Sequence, residues 1–200
     1  IIQSGSLDIE MFWAEGKEDP ATVAWNDASE GAIFDYDKWE PGYTEVRHIK
    51  IENKGTLSLA YKLSIVANGE VSDLSDVIDV YYIDPAAQIT DRDQLDDSNK
   101  LGTLTDVLAN LAQSATGALA KGESDTITLA LKMRETAGNE YQDKSIGSTF
   151  DIKLYATQFG YESDSFGDDY DDDAEIVWPN TSAINSSAST TVATGSDNKV

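Results

Sequence analysis

Cysteine is absent from this 200-residue chain. Its absence excludes a disulfide scaffold, a zinc ribbon and thiol redox chemistry. It does not set the compartment, because the cytosol and a bacterial export route without disulfides would both leave such a chain. Histidine is nearly absent: His48 is the single one. A Ser-His-Asp triad would have to use it, and no G-x-S-x-G elbow accompanies it. Ile49 follows it, so the H-E-x-x-H zinc signature is missing. One histidine without cysteine is a poor zinc ligand set. Neither a Walker loop nor G-x-G-x-x-G occurs, and no apolar run reaches the 18 residues of a spanning helix. Basic residues are scarce: 14 against 37 acidic ones, a net charge of −23. Such a chain repels phosphate backbones and anionic membrane surfaces, so nucleic acid and lipid are discounted as partners. Divalent cations, basic surfaces and cell-wall or matrix polymers remain. The chain opens on Ile1 rather than Met and carries no signal peptide, which suggests that an N-terminal piece was removed; processing and a record of only part of the chain would look the same.

What is present suits a folded domain. Hydrophobic residues make up 40%, with nine tyrosines and four tryptophans, and a disordered chain would be poorer in both. The dominant period is two. Leu7, Ile9 and Met11 alternate with Asp8 and Glu10, and Leu57 to Ile65, Ile127 to Met133 and Phe150 to Leu154 repeat the pattern. Each reads as a strand with one wet and one buried face. Glu45–Ile51 and Val77–Ile83 are two more strands, and Ala32–Asp35 is a weaker one. Pro41-Gly42 and Asn68-Gly69 mark turns, and Asn53-Lys54-Gly55 separates two strands at hairpin distance, with Gly55 free to take positive φ. Leu101, Leu104, Val107, Leu108 and Leu111 recur at helical spacing, which predicts one helix near 103–113 capped by Thr103 or Thr105. The fold expected is all-β: an antiparallel, jelly-roll-like β-sandwich over residues 1–179 with one short helix and acidic loops at 84–99 and 162–175. A Ser/Thr-rich tail follows over 180–200.

Chemistry is sparse in this pattern. On its strand His48 alternates with Ile49, which predicts that it faces water. Carboxylate pairs suited to glycoside hydrolysis arise by chance among so many acids. Trp13, Trp39, Tyr61, Tyr81 and Phe150 read as core or sheet-rim residues. The best ion site by composition is Asp168, Asp169, Asp171, Asp172 and Asp173, with Glu162 and Asp164 upstream, and Asp91, Asp93, Asp96 and Asp97 form a second cluster. Calcium takes six to eight hard oxygens from such loops. The EF-hand spacing fails, since Ala174 sits where its glycine would be if Asp169 led the loop. The plain alternative is a solvated acidic loop. Asn180-Thr181-Ser182 and Asn185-Ser186-Ser187 match the N-glycosylation pattern. No cofactor other than calcium is suggested, and no catalytic residue.

Four segments, in order, carry a family likeness: SGSLDIEM at 4–11, WEPGYTEVRHIKIENKG at 39–55 followed by LAYKLSI at 59–65, AGNEYQDKSI at 137–146 followed by STFDIKLYATQ at 148–158, and ESDSFGDDYD at 162–171. Together they resemble the TasA/camelysin family of exported bacterial proteins, several of which form biofilm-matrix fibres. The resemblance implies a jelly roll, export through a dedicated signal peptidase and polymerisation by donor-strand exchange. Family chains carry a short stretch before the G-(T/S)-L-D motif, where only Ile1 to Ser4 precede it here; a donor strand lying there would be largely missing. Camelysin-type members are classed as metallo-endopeptidases, the alternative reading, and no residues here would build that site. The expectation is a secreted, non-enzymatic subunit of a fibre or matrix whose partners are copies of itself, with Ile1, Ile2, Leu7, Ile9 and Met11 as donor or edge-strand residues.

Overall fold

The computed structural model describes residues 7–34, 39–109, 115–142, 144, 146 and 150–158. Nine strands and one α-helix are formed there: β1 (Ile9–Glu15), β2 (Asn26–Asp27), β3 (Thr44–Asn53), β4 (Leu59–Ala67), β5 (Ile78–Ile83), β6 (Lys100–Thr103), α1 (Leu104–Ala109), β7 (Ala115–Leu119), β8 (Ser124–Met133) and β9 (Phe150–Gln158). They make two antiparallel sheets, one of six strands in the order β2-β1-β3-β8-β5-β6 and one of three in the order β7-β4-β9. The order gives a sandwich; it does not by itself give the jelly-roll winding that the resemblance implies.

Alternation builds the core. Ile9 and Met11 of β1, Ile49 and Ile51 of β3, Ile127, Leu129, Leu131 and Met133 of β8, and Ile78 and Val80 of β5 point inward from the large sheet. Leu59, Tyr61, Leu63 and Ile65 of β4 meet them with Phe150, Ile152 and Leu154 of β9. Each aliphatic side chain so buried contributes about 1.5–3 kcal/mol relative to exposure. The turn before β3 behaves as its sequence predicts. The Tyr43 N–H donates to Glu40 O at 2.9 Å and Gly42 sits at φ 83°, a type II turn with Pro41 leading and glycine where positive φ is needed.

Two sequence expectations are corrected. Asn53-Lys54-Gly55 does not join a hairpin, because β3 and β4 lie in opposite sheets and five residues carry the chain across the sandwich instead. Gly55 accordingly is not among the glycines at positive φ. Residues 33 and 34 form a bend and no strand is formed over 32–34, with Asp35 outside the described residues. The bend lets the consecutive Ile33 and Phe34 both reach the core, which a strand's two-residue period forbids. The helix expected near 103–113 is described over Leu104–Ala109, and 110–114 lie outside the described residues. Its start is as expected: the Asp106 N–H donates to Thr103 Oγ1 at 3.1 Å and the Thr103 N–H donates back to the Asp106 carboxylate at 3.1 Å, a reciprocal cap. Leu104, Val107 and Leu108 are buried. The helix packs against β4 of one sheet and β5 and β6 of the other.

Candidate functional site

The sheets are unequal, and this creates the site. Six strands face three, so the β5–β6 side of the large sheet extends past the small one. Tyr82 shares the inward phase of Ile78 and Val80, yet it is 43% exposed. Beside it opens a cleft of about 420 Å³ lined by Tyr61, Leu63, Leu101, Ala115, Ile127 and Leu129, with Lys100 and Thr116 also at the lining. That volume lies within the range of ligand pockets. One wall is β7, whose hydrogen-bonded neighbour among the described strands is β4 alone. The inward positions of β7 carry Ala115 and Gly117, too small to fill the gap between the sheets. Tyr61 leans over Gly117, where an added Cβ would come within 2.7 Å of its ring. Its hydroxyl crosses to the opposite sheet and donates to Asp125 Oδ2 at 2.8 Å. Lys100 is paired with Asp79 at 3.2 Å.

Burial first, and then the bond to the Asp125 carboxylate, push the Tyr61 phenol well above its ordinary value of 10. Burial, with Asp79 next, raises Tyr81 in the same direction. A phenol whose folded value is raised lends stability below the unfolded value, and this is lost as pH climbs past about 10. The urea midpoint is therefore expected to hold steady from about pH 7 to 9 and to fall beyond 10. Tyr61→Phe should fall less steeply over that alkaline range, with Tyr81 supplying the remainder; an equally steep fall would show that Tyr61 does not carry the effect.

The assembly residues named from sequence fall in two places. Ile1 and Ile2 lie outside the described residues. Leu7, Ile9 and Met11 pack in the core of their own chain, where β1 pairs with β3 from Ile9↔Asn53 to Glu15↔Arg47 and with β2 through Phe12 and Trp13. The calcium candidates Asp168, Asp169, Asp171, Asp172 and Asp173 lie outside the described residues, as do both glycosylation sequences and the 180–200 tail. Among the described residues no group of three or more His, Asp or Glu side chains is placed to hold a metal. In the second acidic cluster Asp91 accepts the Asp93 N–H at 2.9 Å and Asp96 accepts the Ser98 N–H at 2.8 Å, so both cap turns of the 84–99 loop. That loop packs Ile89 and Leu95 onto Tyr81, Ile83 and Ala130 and so covers the outer face of the large sheet.

His48 is also corrected. It belongs to that outer face but is fully buried, because the segment after β1 folds down over it. Gly16 permits the approach: a Cβ there would lie 2.2 Å from Val46 Cγ1. His48 Nε2 contacts Glu18 O at 2.9 Å, and Nδ1 contacts Thr128 Oγ1 at 2.6 Å. A carbonyl only accepts, so Nε2 carries the proton and Nδ1 accepts from the threonine hydroxyl. Both nitrogens are thus engaged in holding a loop to a sheet.

A second cleft, of about 330 Å³, lies between the start of β3 and the 89–92 loop. Its cations are matched: Lys17 with Glu15, Arg47 with Glu45 and Arg92 with Glu135. Of these two clefts among the described residues, the one beside β7 offers apolar surface and strand edge together. No protein-family model matches this chain, and no curated protein matches it.

Proposed function

We propose that this chain is a structural subunit of an extracellular fibre or biofilm matrix and assembles with copies of itself by strand addition. The observation that carries the reading is the cleft beside β7, where a strand edge and an apolar floor meet. An added strand there would supply backbone hydrogen bonds to the edge and place alternate side chains between the sheets. A head-to-tail contact of this kind does not close and gives a filament. The net charge of −23 keeps separate copies apart until a matched surface overrides it. The family likeness of the four segments supports the same reading, as does the scarcity of catalytic constellations in the sequence. Ile1 and Ile2, ahead of β1, are the donor residues it favours, since Ile9 and Met11 are already committed to their own core.

Electron microscopy of the purified chain is expected to show filaments. Tyr82→Asp puts a charge at the cleft mouth on a side chain that is already 43% exposed. It should leave thermal unfolding nearly unchanged and abolish the filaments. Monodisperse monomer from the parent chain across salts and pH values would sink the reading, as would filaments unaffected by Tyr82→Asp. Truncation should stop at residue 6, because removal of ten residues would also cut Ile9 out of β1.

A further inference from the structure

Away from the cleft, the turn after β4 has a chemistry of its own. We propose that Asn68-Gly69 is a site of spontaneous covalent modification: Asn68 deamidates in the folded chain and leaves aspartate and isoaspartate at the β4–β9 end of the small sheet. The inference stands apart from fibre assembly and does not depend on it.

The reaction needs only water. The Gly69 nitrogen loses its proton to hydroxide and forms a bond to Asn68 Cγ. The Cγ–Nδ2 bond breaks, and the amide nitrogen takes a proton and leaves as ammonia. The product is a five-membered succinimide. Water then opens the ring at one of its two carbonyls. One opening gives aspartate with a normal backbone, and the other gives isoaspartate, whose main chain runs through the side-chain carbon.

Three observations carry it. The first is the successor residue. A side chain on the attacking residue crowds the approach, and glycine has none. Asn68 is the one asparagine in the chain that precedes a glycine. The second is freedom. Asn68, Gly69 and Glu70 are all exposed, and 69–70 form a bend rather than a hydrogen-bonded turn. Gly69 sits at φ 78°, where a Cβ would meet nothing within 4 Å. Among the described residues no backbone acceptor takes the Gly69 N–H. The nitrogen can therefore lose its proton, and the chain can swing it onto Cγ. Asn53 shows the opposite case, since it is fully buried with its amide donated to Leu57 and Leu119.

The third is position. Asn68 Nδ2 donates to Asp151 Oδ1 at 3.3 Å, just past the last rungs of the β4–β9 ladder, Val66↔Asp151 and Ala67↔Phe150. Deamidation removes this donor and sets a second carboxylate against Asp151, and like charges across neighbouring strands are destabilising. Ile65 and Ile152 lie deeper and stay in the core. The ladder end loosens while the sandwich holds. Because the step is irreversible, the fraction converted records how long the folded molecule has existed.

Peptide mass mapping with isoaspartate-specific methyl labelling, after incubation of the whole chain in mildly alkaline buffer, tests this. Conversion at Asn68 is expected at least about tenfold faster than at Asn26, Asn99 and Asn139, and within about threefold of its own rate in urea, because an open turn gives little protection. A folded-state rate about tenfold or more below the urea rate overturns the proposal, as does conversion no faster than at the other three. Gly69→Ala should slow the reaction about tenfold. Alanine strains a turn at positive φ, so the slowing is also measured in urea, where that strain is absent and the effect should persist. Equal rates for the two chains in urea would remove the role of glycine and overturn the proposal. Asn68→Asp carries the product charge directly. Its amides at 66–67 and 150–151 should exchange faster than in the parent, with β3 and β8 unchanged. Unchanged exchange there overturns the loosening of the ladder end.

Discussion

Asn53→Ala is expected to lower the unfolding free energy by about 3–5 kcal/mol and the melting temperature by about 10 °C. Asn53 is fully buried where the chain crosses between sheets. Its side-chain amide donates to Leu57 O at 2.8 Å and to Leu119 O at 3.1 Å, and its carbonyl oxygen accepts the Gly55 N–H at 3.0 Å. Its backbone N–H donates to Glu123 O at 2.9 Å and its backbone oxygen accepts the Gly122 N–H at 3.1 Å. One residue thus joins the end of β3, the crossing loop, the end of β7 and the turn into β8. Alanine leaves the Leu57 and Leu119 carbonyls without this donor inside the protein, and each such loss costs about 1–3 kcal/mol. Asn53→Asp keeps the shape and removes both N–H donors, so it should cost at least as much. Thermal melts and urea titrations of both variants check this, and a loss below about 1 kcal/mol would show that the corner is held by its other bonds.

The second large effect is expected at His48. His48→Phe keeps a ring of similar size but removes both partners, leaving the Thr128 hydroxyl and the Glu18 carbonyl to be satisfied elsewhere. A loss of about 2–4 kcal/mol is expected. Thr128→Val removes one of the stranded groups, so the double variant should recover about 1 kcal/mol of it, and the double-mutant cycle measures that coupling. Hydrogen exchange should quicken first in the segment after β1. A variant as stable as the parent would mean that the loop is held by other contacts, such as the Gly16 N–H to Val46 O bond at 2.9 Å.

Much of the architecture was legible because half-buried strands write their period into the chain. β1, β3, β4, β5, β8 and β9 each fall on an alternating run. The strands not foreseen lack that signal. β7 is built of Ala115, Thr116, Gly117, Ala118 and Leu119, with one large apolar residue among five. β6 is four residues with Gly102 at φ 143°, and β2 is the exposed pair Asn26–Asp27. Their pairing follows from neighbours already in place, not from their own pattern. The weakness of the β7 sequence is what opens the candidate site, so the feature of greatest functional interest was the one that periodicity could not show.

Alternation, turn residues and the capping pattern at Thr103 by themselves determined the all-β class, most strand positions and the start of the helix, because these depend on which neighbours in the chain share a face. Which face stays wet, which strands lie in which sheet and where the sandwich is left open were decided only by tertiary structure. His48 had a polar phase and was buried by a loop thirty residues away; Asn53 looked like a hairpin and proved to be a crossing between layers. Local sequence records period, whereas coverage depends on segments far apart in the chain that meet only when the sheets pack.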